Sequence, residues 1–206
     1  MDALIDSVVD LEWDFFQEVD NEGGKASCQN NRPTFDIMRK SQFLAWDRAT
    51  LESYRQDLLD ARRDGRNPLA EKYARMMERT ANAEYRKMES LLPPVLPEVR
   101  QLVEEIVAIQ MPWQKEYTKL YSRLATRSRP VDSASEAGYA TSVETYLRGE
   151  LMTYSKETLR RYLAHIKALQ ERGKNITLEI MEYTVRKYGY ASLQAAEDAV
   201  AASAVL

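Results

Sequence analysis

The sequence predicts an all-α protein: a helical bundle of two tandem, pseudo-twofold-related helical repeats plus a C-terminal helix. Three observations predict it. Apolar residues recur at intervals of three and four, the spacing that places side chains on one helix face. Only 7 glycines occur in 206 residues, and no segment keeps a period-two alternation. The order of helices before a proline-rich connector also recurs after it, the self-similarity that a duplicated unit leaves. Residues 1–206 are therefore read as a single helical domain, with repeat one at 4–80, the proline connector at 89–100, repeat two at 102–188 and the C-terminal helix at 191–206.

Each element has its own signal. Leu4, Ile5, Val8, Leu11, Phe15, Phe16 and Val19 set out a first helix that ends near residues 21–24. After a polar loop at 25–32, Phe35, Met38, Phe43, Ala45 and Trp46 mark a second. Leu51, Tyr54, Leu58 and Ala61 mark a third, and Gly65 stands where a left-handed residue commonly closes a helix. Pro68 suits the first turn of a fourth, where its missing N–H is not needed. Pro93, Pro94 and Pro97 fall within five residues and cannot continue a helix, so they make the connector. Leu102, Val103, Ile106, Ile109, Trp113 and Tyr117 open the next helix, which Pro112 is expected to kink or divide. A polar loop at 127–140 precedes helices over 142–154, 158–172 and 176–188. Ser192 is placed to cap an alanine-rich last helix with a frayed end.

The repeat is concrete in register. Residues 34–80 lie over 142–188 without a gap, 4–9 over 102–107, and 11–12 over 109–110. Thr50-Leu51 then meets Thr158-Leu159, Tyr54 meets Tyr162, Trp46 meets Tyr154, and Gly65-Arg66-Asn67 meets Gly173-Lys174-Asn175. Identity is low, but the order, the caps and the periodicity agree.

Composition narrows the function classes. Apolar residues at 44% with 30% charged residues are those of a folded globular chain. The 29 basic and 32 acidic residues are scattered, without a basic stripe, which argues against nucleic acid as a partner. One cysteine, Cys28, excludes an intramolecular disulfide, and no paired-cysteine zinc pattern occurs. Residues 1–9 carry Asp2 and Asp6 and lack the basic start of a signal peptide, and no apolar run reaches the length of a membrane span. A cytoplasmic protein that meets no membrane is expected; a homo-oligomer stays open.

The chemistry is expected where polar residues interrupt apolar faces. Glu12 stands in the stripe of Ile5, Val8, Phe16 and Val19, and Gln110 interrupts the matching stripe of Val103, Ile106, Trp113 and Tyr117. Gln42 lies among Phe35, Met38 and Trp46, and Glu150 among Val143, Tyr146 and Tyr154. A Glu in one repeat thus faces a Gln in the other, twice and in opposite senses. If these stripes share a core, two carboxylates and two amides converge near the axis, within reach of Arg39, Trp46, Tyr54, Tyr146, Tyr154, Tyr162 and His165. An unpaired buried carboxylate is costly or rises in pKa, and a raised carboxyl suits proton transfer near neutral pH. The expected function is a metal-independent small-molecule enzyme. Glu12 and Glu150 would be its acid, base or cation-holding groups, and Gln42, Gln110, Arg39, Trp46, Tyr146 and Tyr154 would hold the substrate. The alternative is a non-catalytic binding or interaction module whose polar core only fixes helix register.

Other candidates are weaker. A two-metal centre of the helical-bundle type needs Glu-x-x-His on two helices, whereas the one histidine, His165, is preceded at that spacing by Tyr162. No metal is therefore expected, and the sequence names no cofactor. Cys28 lacks a base that the sequence can place beside it. Arg32-Pro33 and Arg129-Pro130, each before the second helix of its repeat, could hold an anionic group, although surface arginines usually serve solubility.

Several segments together resemble a known family. They are Leu11-Glu12-Trp13, Asn21-Glu22-Gly23-Gly24, Ser27-Cys28-Gln29, Phe35-Asp36-Ile37-Met38-Arg39-Lys40-Ser41-Gln42, Lys72-Tyr73-Ala74-Arg75-Met76-Met77-Glu78, Glu144-Thr145-Tyr146-Leu147-Arg148-Gly149-Glu150-Leu151, Thr153-Tyr154-Ser155 and Tyr188-Gly189-Tyr190. The likeness, over nearly the whole chain, is to a bacterial family catalogued as domain of unknown function 4125. It implies a bacterial origin and a mostly helical protein, and it brings no activity with it. The alanine-rich tail after Ala199 departs from the pattern.

Overall fold

The first apolar stripe becomes α1 (Asp2–Gln17), which buries Ile5, Val8, Val9, Leu11, Phe15 and Phe16 together with Glu12. In the computed structural model, which describes residues 1–20, 24–136 and 141–203, the chain continues through α2 (Arg32–Leu44), α3 (Arg48–Arg63), α4 (Pro68–Thr80) and a short α5 (Asn82–Met88). After the proline connector come α6 (Pro97–Leu120), α7 (Ser122–Ala125), α8 (Val143–Leu151), α9 (Lys156–Glu171), α10 (Ile176–Lys187) and α11 (Leu193–Ser203). The fold is an all-α helical bundle, and no strand occurs among the described residues. The expected ends at 21–23, 137–140 and 204–206 lie outside the described residues.

Local chemistry explains the boundaries. Asp47 accepts from the Thr50 N–H at 2.9 Å and Ser155 from the Thr158 N–H at 3.2 Å, so α3 and α9 begin on side-chain caps. Gly65 (φ +67°) and Gly173 (φ +66°) close those helices in the left-handed region that a side chain disfavours. Asn67 and Asn175 then cap α4 and α10. Each asparagine also donates its amide N–H to a carbonyl of another helix, Asn67 to Phe15 and Asn175 to Trp113. Pro97 occupies the first turn of α6, so that helix starts inside the expected connector.

Pro112 does not divide α6, which runs on past it to Leu120. Pro112 and Ala108, one turn before it, are both exposed, so the single ladder bond that proline forfeits is lost on the solvent side. The loop at 25–32 is also more ordered than its polarity suggests. Gln29 is buried there and donates to the carbonyls of Phe16 at 2.8 Å and Val19 at 3.0 Å, past the end of α1.

Packing follows two sets of contacts. α1 lies against α2, α3 and α4, while α6 lies against α8, α9 and α10. Across the sets, α3 packs on α9, α4 on α8, and α2 on α10. One apolar core runs through all of these helices, and a smaller cluster of Tyr117, Val185, Leu193 and Ala196 seats α11. Gly149 marks the closest approach: a Cβ there would lie 2.7 Å from Met76 Cγ and 3.1 Å from the Lys72 carbonyl oxygen. That contact sets α8 against α4 at the level of Glu150.

Candidate functional site

Glu12, on the buried face of α1, is 1% exposed and meets Arg39 from α2 as a two-pronged ion pair. Arg39 Nε donates to Glu12 Oε2 at 2.7 Å and Nη2 to Oε1 at 2.5 Å, while the Tyr54 hydroxyl donates to Oε1 at 2.7 Å. The guanidinium also reaches across to α8, with Nη1 3.1 Å and Nη2 3.2 Å from Glu150 Oε1, and Nη1 2.7 Å from Gln42 Oε1. Glu150 Oε1 further accepts from Tyr154 at 2.8 Å and from Gln42 Nε2 at 3.2 Å. Lys72 of α4 completes the group, 3.4 Å from Glu150 Oε2 and donating to the Tyr146 hydroxyl at 2.7 Å. Two carboxylates are thus matched by two cations in one buried network.

The electrostatics run opposite to the expected raised carboxyl at Glu150. Burial alone would raise its pKa, but the charges of Arg39 and Lys72, with hydrogen bonds from Tyr154 and Gln42, hold it far below the usual carboxylate range. Burial likewise disfavours a charged Arg39, and Glu12 and Glu150 outweigh it, so the guanidinium is held ionised. Lys72 is pushed up against its own desolvation by Tyr146 and Glu150. Tyr54 and Tyr154 are raised well above the usual phenol value by burial and by the adjacent carboxylates, and stay neutral. At neutral pH Glu150 is therefore an ion-paired carboxylate, a weak base and no acid.

Beside this network lies a cavity of about 180 Å³ between α2, α6, α8, α9 and α10. Trp46, Gln110, Glu150, Tyr154 and Tyr162 form its buried floor, and half-buried Gln114, Val143, Thr177 and Met181 line its rim. The cavity reaches Glu150 and Gln42, whereas neither Glu12 nor Arg39 lines it. Gln110 Nε2 donates to the Tyr162 hydroxyl at 2.8 Å, but Gln110 Oε1 and Trp46 Nε1 are buried without a hydrogen-bond partner. Burial raises the Tyr162 pKa, partly offset by Gln110 and by Trp46, whose Nε1 is near the hydroxyl yet outside hydrogen-bond geometry. Trp46 also stacks at a tilt on Tyr162, ring centroids 4.7 Å apart.

Of the eight expected site residues, Glu12, Arg39, Gln42, Tyr146, Glu150 and Tyr154 meet in the charged network, and Trp46 and Gln110 meet at the cavity. Arg39 spends its donors on protein groups and has none aimed at a ligand. Lys72 was not foreseen. The signal was available, since Lys72 lies between Leu69 and Met76 on the buried face of α4 at spacings of three and four. Arg32 is held by Asp10 and Asp36, Arg129 rests over the Tyr146 ring, and Cys28 is exposed. His165 Nε2 bonds the Ala45 carbonyl oxygen at 2.8 Å and Nδ1 lies 3.2 Å from Asp47 Oδ2, outside the network of Glu12 and Glu150. Among the described residues no group of three or more His, Cys, Asp or Glu could hold a metal ion, and no helix is long and apolar enough to cross a membrane.

Fold and site together define an all-α bundle with a neutralised ionic centre next to a small, mostly apolar cavity. The chain belongs to the family described as protein of unknown function (DUF4125), whose model matches residues 2–198. No curated protein and no solved structure matches it.

Proposed function

We propose that this protein binds a small, neutral, flat molecule in the cavity floored by Gln110, Trp46 and Tyr162, with the Glu12–Arg39–Glu150–Lys72 network as its rigid wall. The observation that carries the reading is a pair of buried polar atoms without hydrogen-bond partners on two residues that line this cavity, one acceptor (Gln110 Oε1) and one donor (Trp46 Nε1). Buried polar atoms normally have partners, and an occupant offering one N–H and one carbonyl would supply both. The volume suits a single ring, being close to that of an engineered cavity that holds benzene, about 150 Å³. A neutral occupant fits better than a cation, because the charge of Glu150 is already balanced by Arg39 and Lys72.

A duplicated origin supports the same assignment. In the repeat register Glu12 corresponds to Gln110, Arg39 to Leu147, Tyr54 to Tyr162 and Lys72 to Ile180, and all four second-half residues line the cavity. Where the first half fills this space with a guanidinium and an ammonium, the second half has two shorter aliphatic side chains, an uncharged amide and a void. The ligand would occupy the place that Arg39 takes in the other half. The satisfied ionic network is then architectural, which favours binding over acid–base catalysis by Glu12 and Glu150.

The test uses 2-pyridone, a ring with adjacent N–H and C=O groups, against pyridine and benzamidinium, followed through the indole N–H signals of the 15N-labelled protein. Trp46 is one of 3 tryptophans, so its signal is assigned by its loss in Trp46→Phe. The expected result is saturable movement of the Trp46 signal with 2-pyridone, weakened about tenfold in Gln110→Leu. A Trp46 signal unmoved by all three probes, or moved equally by benzamidinium and 2-pyridone, overturns the reading.

A further inference from the structure

A second cavity, of about 340 Å³, lies beneath the proline connector, bounded by the end of α3, the start of α4 and the turn at 152–156. Arg75 of α4 lines it at 7% exposure. Its one hydrogen bond goes from Nη2 to the Pro93 carbonyl oxygen at 2.7 Å, and Nε is buried with no partner. A carbonyl accepts a hydrogen bond but does not neutralise a cation. The carboxylate that acts most on Arg75 is Glu71, one turn earlier, and both Glu71 oxygens are taken by Arg66 at 2.9 and 2.7 Å. Among the described residues Arg75 forms no ion pair. Desolvation accordingly holds its pKa below the usual guanidinium value, the opposite of Arg39.

Most of the other charges that line this cavity are already paired. Lys156 pairs with Glu98, and Asp60 with Arg63. Asp57 accepts the Ser155 N–H at 2.9 Å and, among the described residues, forms no ion pair; burial raises its pKa, partly offset by the N–H and hydroxyl of Ser155 and the hydroxyl of Thr158. The cavity therefore presents a guanidinium without a carboxylate and, opposite in sign, the Asp57 carboxylate without a cation. Buried charges in folded proteins are paired or bind a ligand, and the fork of a guanidinium matches the oxygens of a carboxylate or phosphate.

We propose that this cavity is a second binding site, specific for a small oxyanion that also carries a hydrogen-bond donor, with the oxygens on Arg75 and the donor on Asp57. Hydrogen phosphate has that chemistry, as do hydroxy- and amino-carboxylates, whereas sulfate lacks the donor. The site is separate from the ring cavity, although Tyr154 lines both.

The probe is inorganic phosphate, titrated into the full chain at constant ionic strength in chloride, with sulfate as the contrast. The Arg75 Nε–H resonance of the 15N-labelled protein, assigned by its loss in Arg75→Gln, reports directly on the unpaired atom. Phosphate is expected to move it saturably and about tenfold more tightly than sulfate, and Asp57→Asn is expected to narrow that preference. Three outcomes overturn the proposal: a resonance that follows ionic strength alone, equal affinity for the two anions, or undiminished phosphate binding in a folded Arg75→Gln. Because the resonance is read in the unsubstituted protein, a variant that fails to fold does not remove the test.

Discussion

Replacing Arg39 with leucine tests the ionic centre most directly. The guanidinium makes two contacts to Glu12 (2.7 and 2.5 Å), one to Gln42 (2.7 Å) and two close ones to Glu150 (3.1 and 3.2 Å), and it lies 4.8 Å over the Phe43 ring. Its removal leaves Glu12 and Glu150 buried with only Lys72, 3.4 Å from one of them, to balance both. Breaking a buried pair in this way costs about 3–5 kcal/mol, because the surviving charge has lost its partner. In a chain of this length that lowers the melting temperature by about 6–20 °C. Glu12→Gln alone is milder, about 1–3 kcal/mol, since Tyr54 and Arg39 keep an amide oxygen to bond. The double variant Arg39→Leu/Glu12→Gln restores charge balance between Glu150 and Lys72. It is expected to be more stable than the sum of the single losses predicts, by about 2 kcal/mol. Urea unfolding followed by circular dichroism, with an unchanged denaturant slope, measures the cycle. Single losses that add to within about 0.5 kcal/mol, or an Arg39→Leu loss below about 1 kcal/mol, would show that the network does not hold the helices together.

Two further outcomes follow. The Glu150 pKa is depressed on folding, so its contribution is fully present above the unfolded carboxylate value of 4.5 and drains away as pH falls toward the folded value. Between about pH 5 and pH 3 the unsubstituted protein should therefore lose stability more steeply than Glu150→Gln, by up to about 1.4 kcal/mol per pH unit, and parallel curves from urea midpoints would contradict this. Gly149→Ala should destabilise by about 1–3 kcal/mol despite alanine's better helix propensity, because its Cβ would press on Met76 and the Lys72 carbonyl; a rise in melting temperature would mean that α4 and α8 separate freely.

The helices were legible because their signals are local. Gly65 and Gly173, with Asn67 and Asn175 beside them, act within a few residues of where they stand. The short helices α5 and α7 carry too little apolar periodicity to announce themselves, and the effect of Pro112 depended on which face of α6 meets solvent. The polar interruptions Glu12, Gln42 and Glu150 meet in one network with Gln110 at the adjoining cavity, since a charge on an apolar stripe has to be satisfied by something across the core. Their pairing was not legible. Whether Glu150 rises or falls in pKa turns on Lys72, which arrives from a helix far off in sequence, and on the aim of one guanidinium. The cavity at Trp46 and Gln110 was the least visible feature, because it depends on where side chains from five helices, Leu147 and Ile180 among them, stop short of one another.

The cross-packing of α4 on α8 and α2 on α10 has a consequence during synthesis. When a ribosome has released only α1 to α5, the helices that cover α2 and α4 have not yet been made, and Arg39 holds Glu12 without its second carboxylate. The nascent N-terminal part consequently waits with open seams until α8 and then α10 emerge, and these later helices close the bundle.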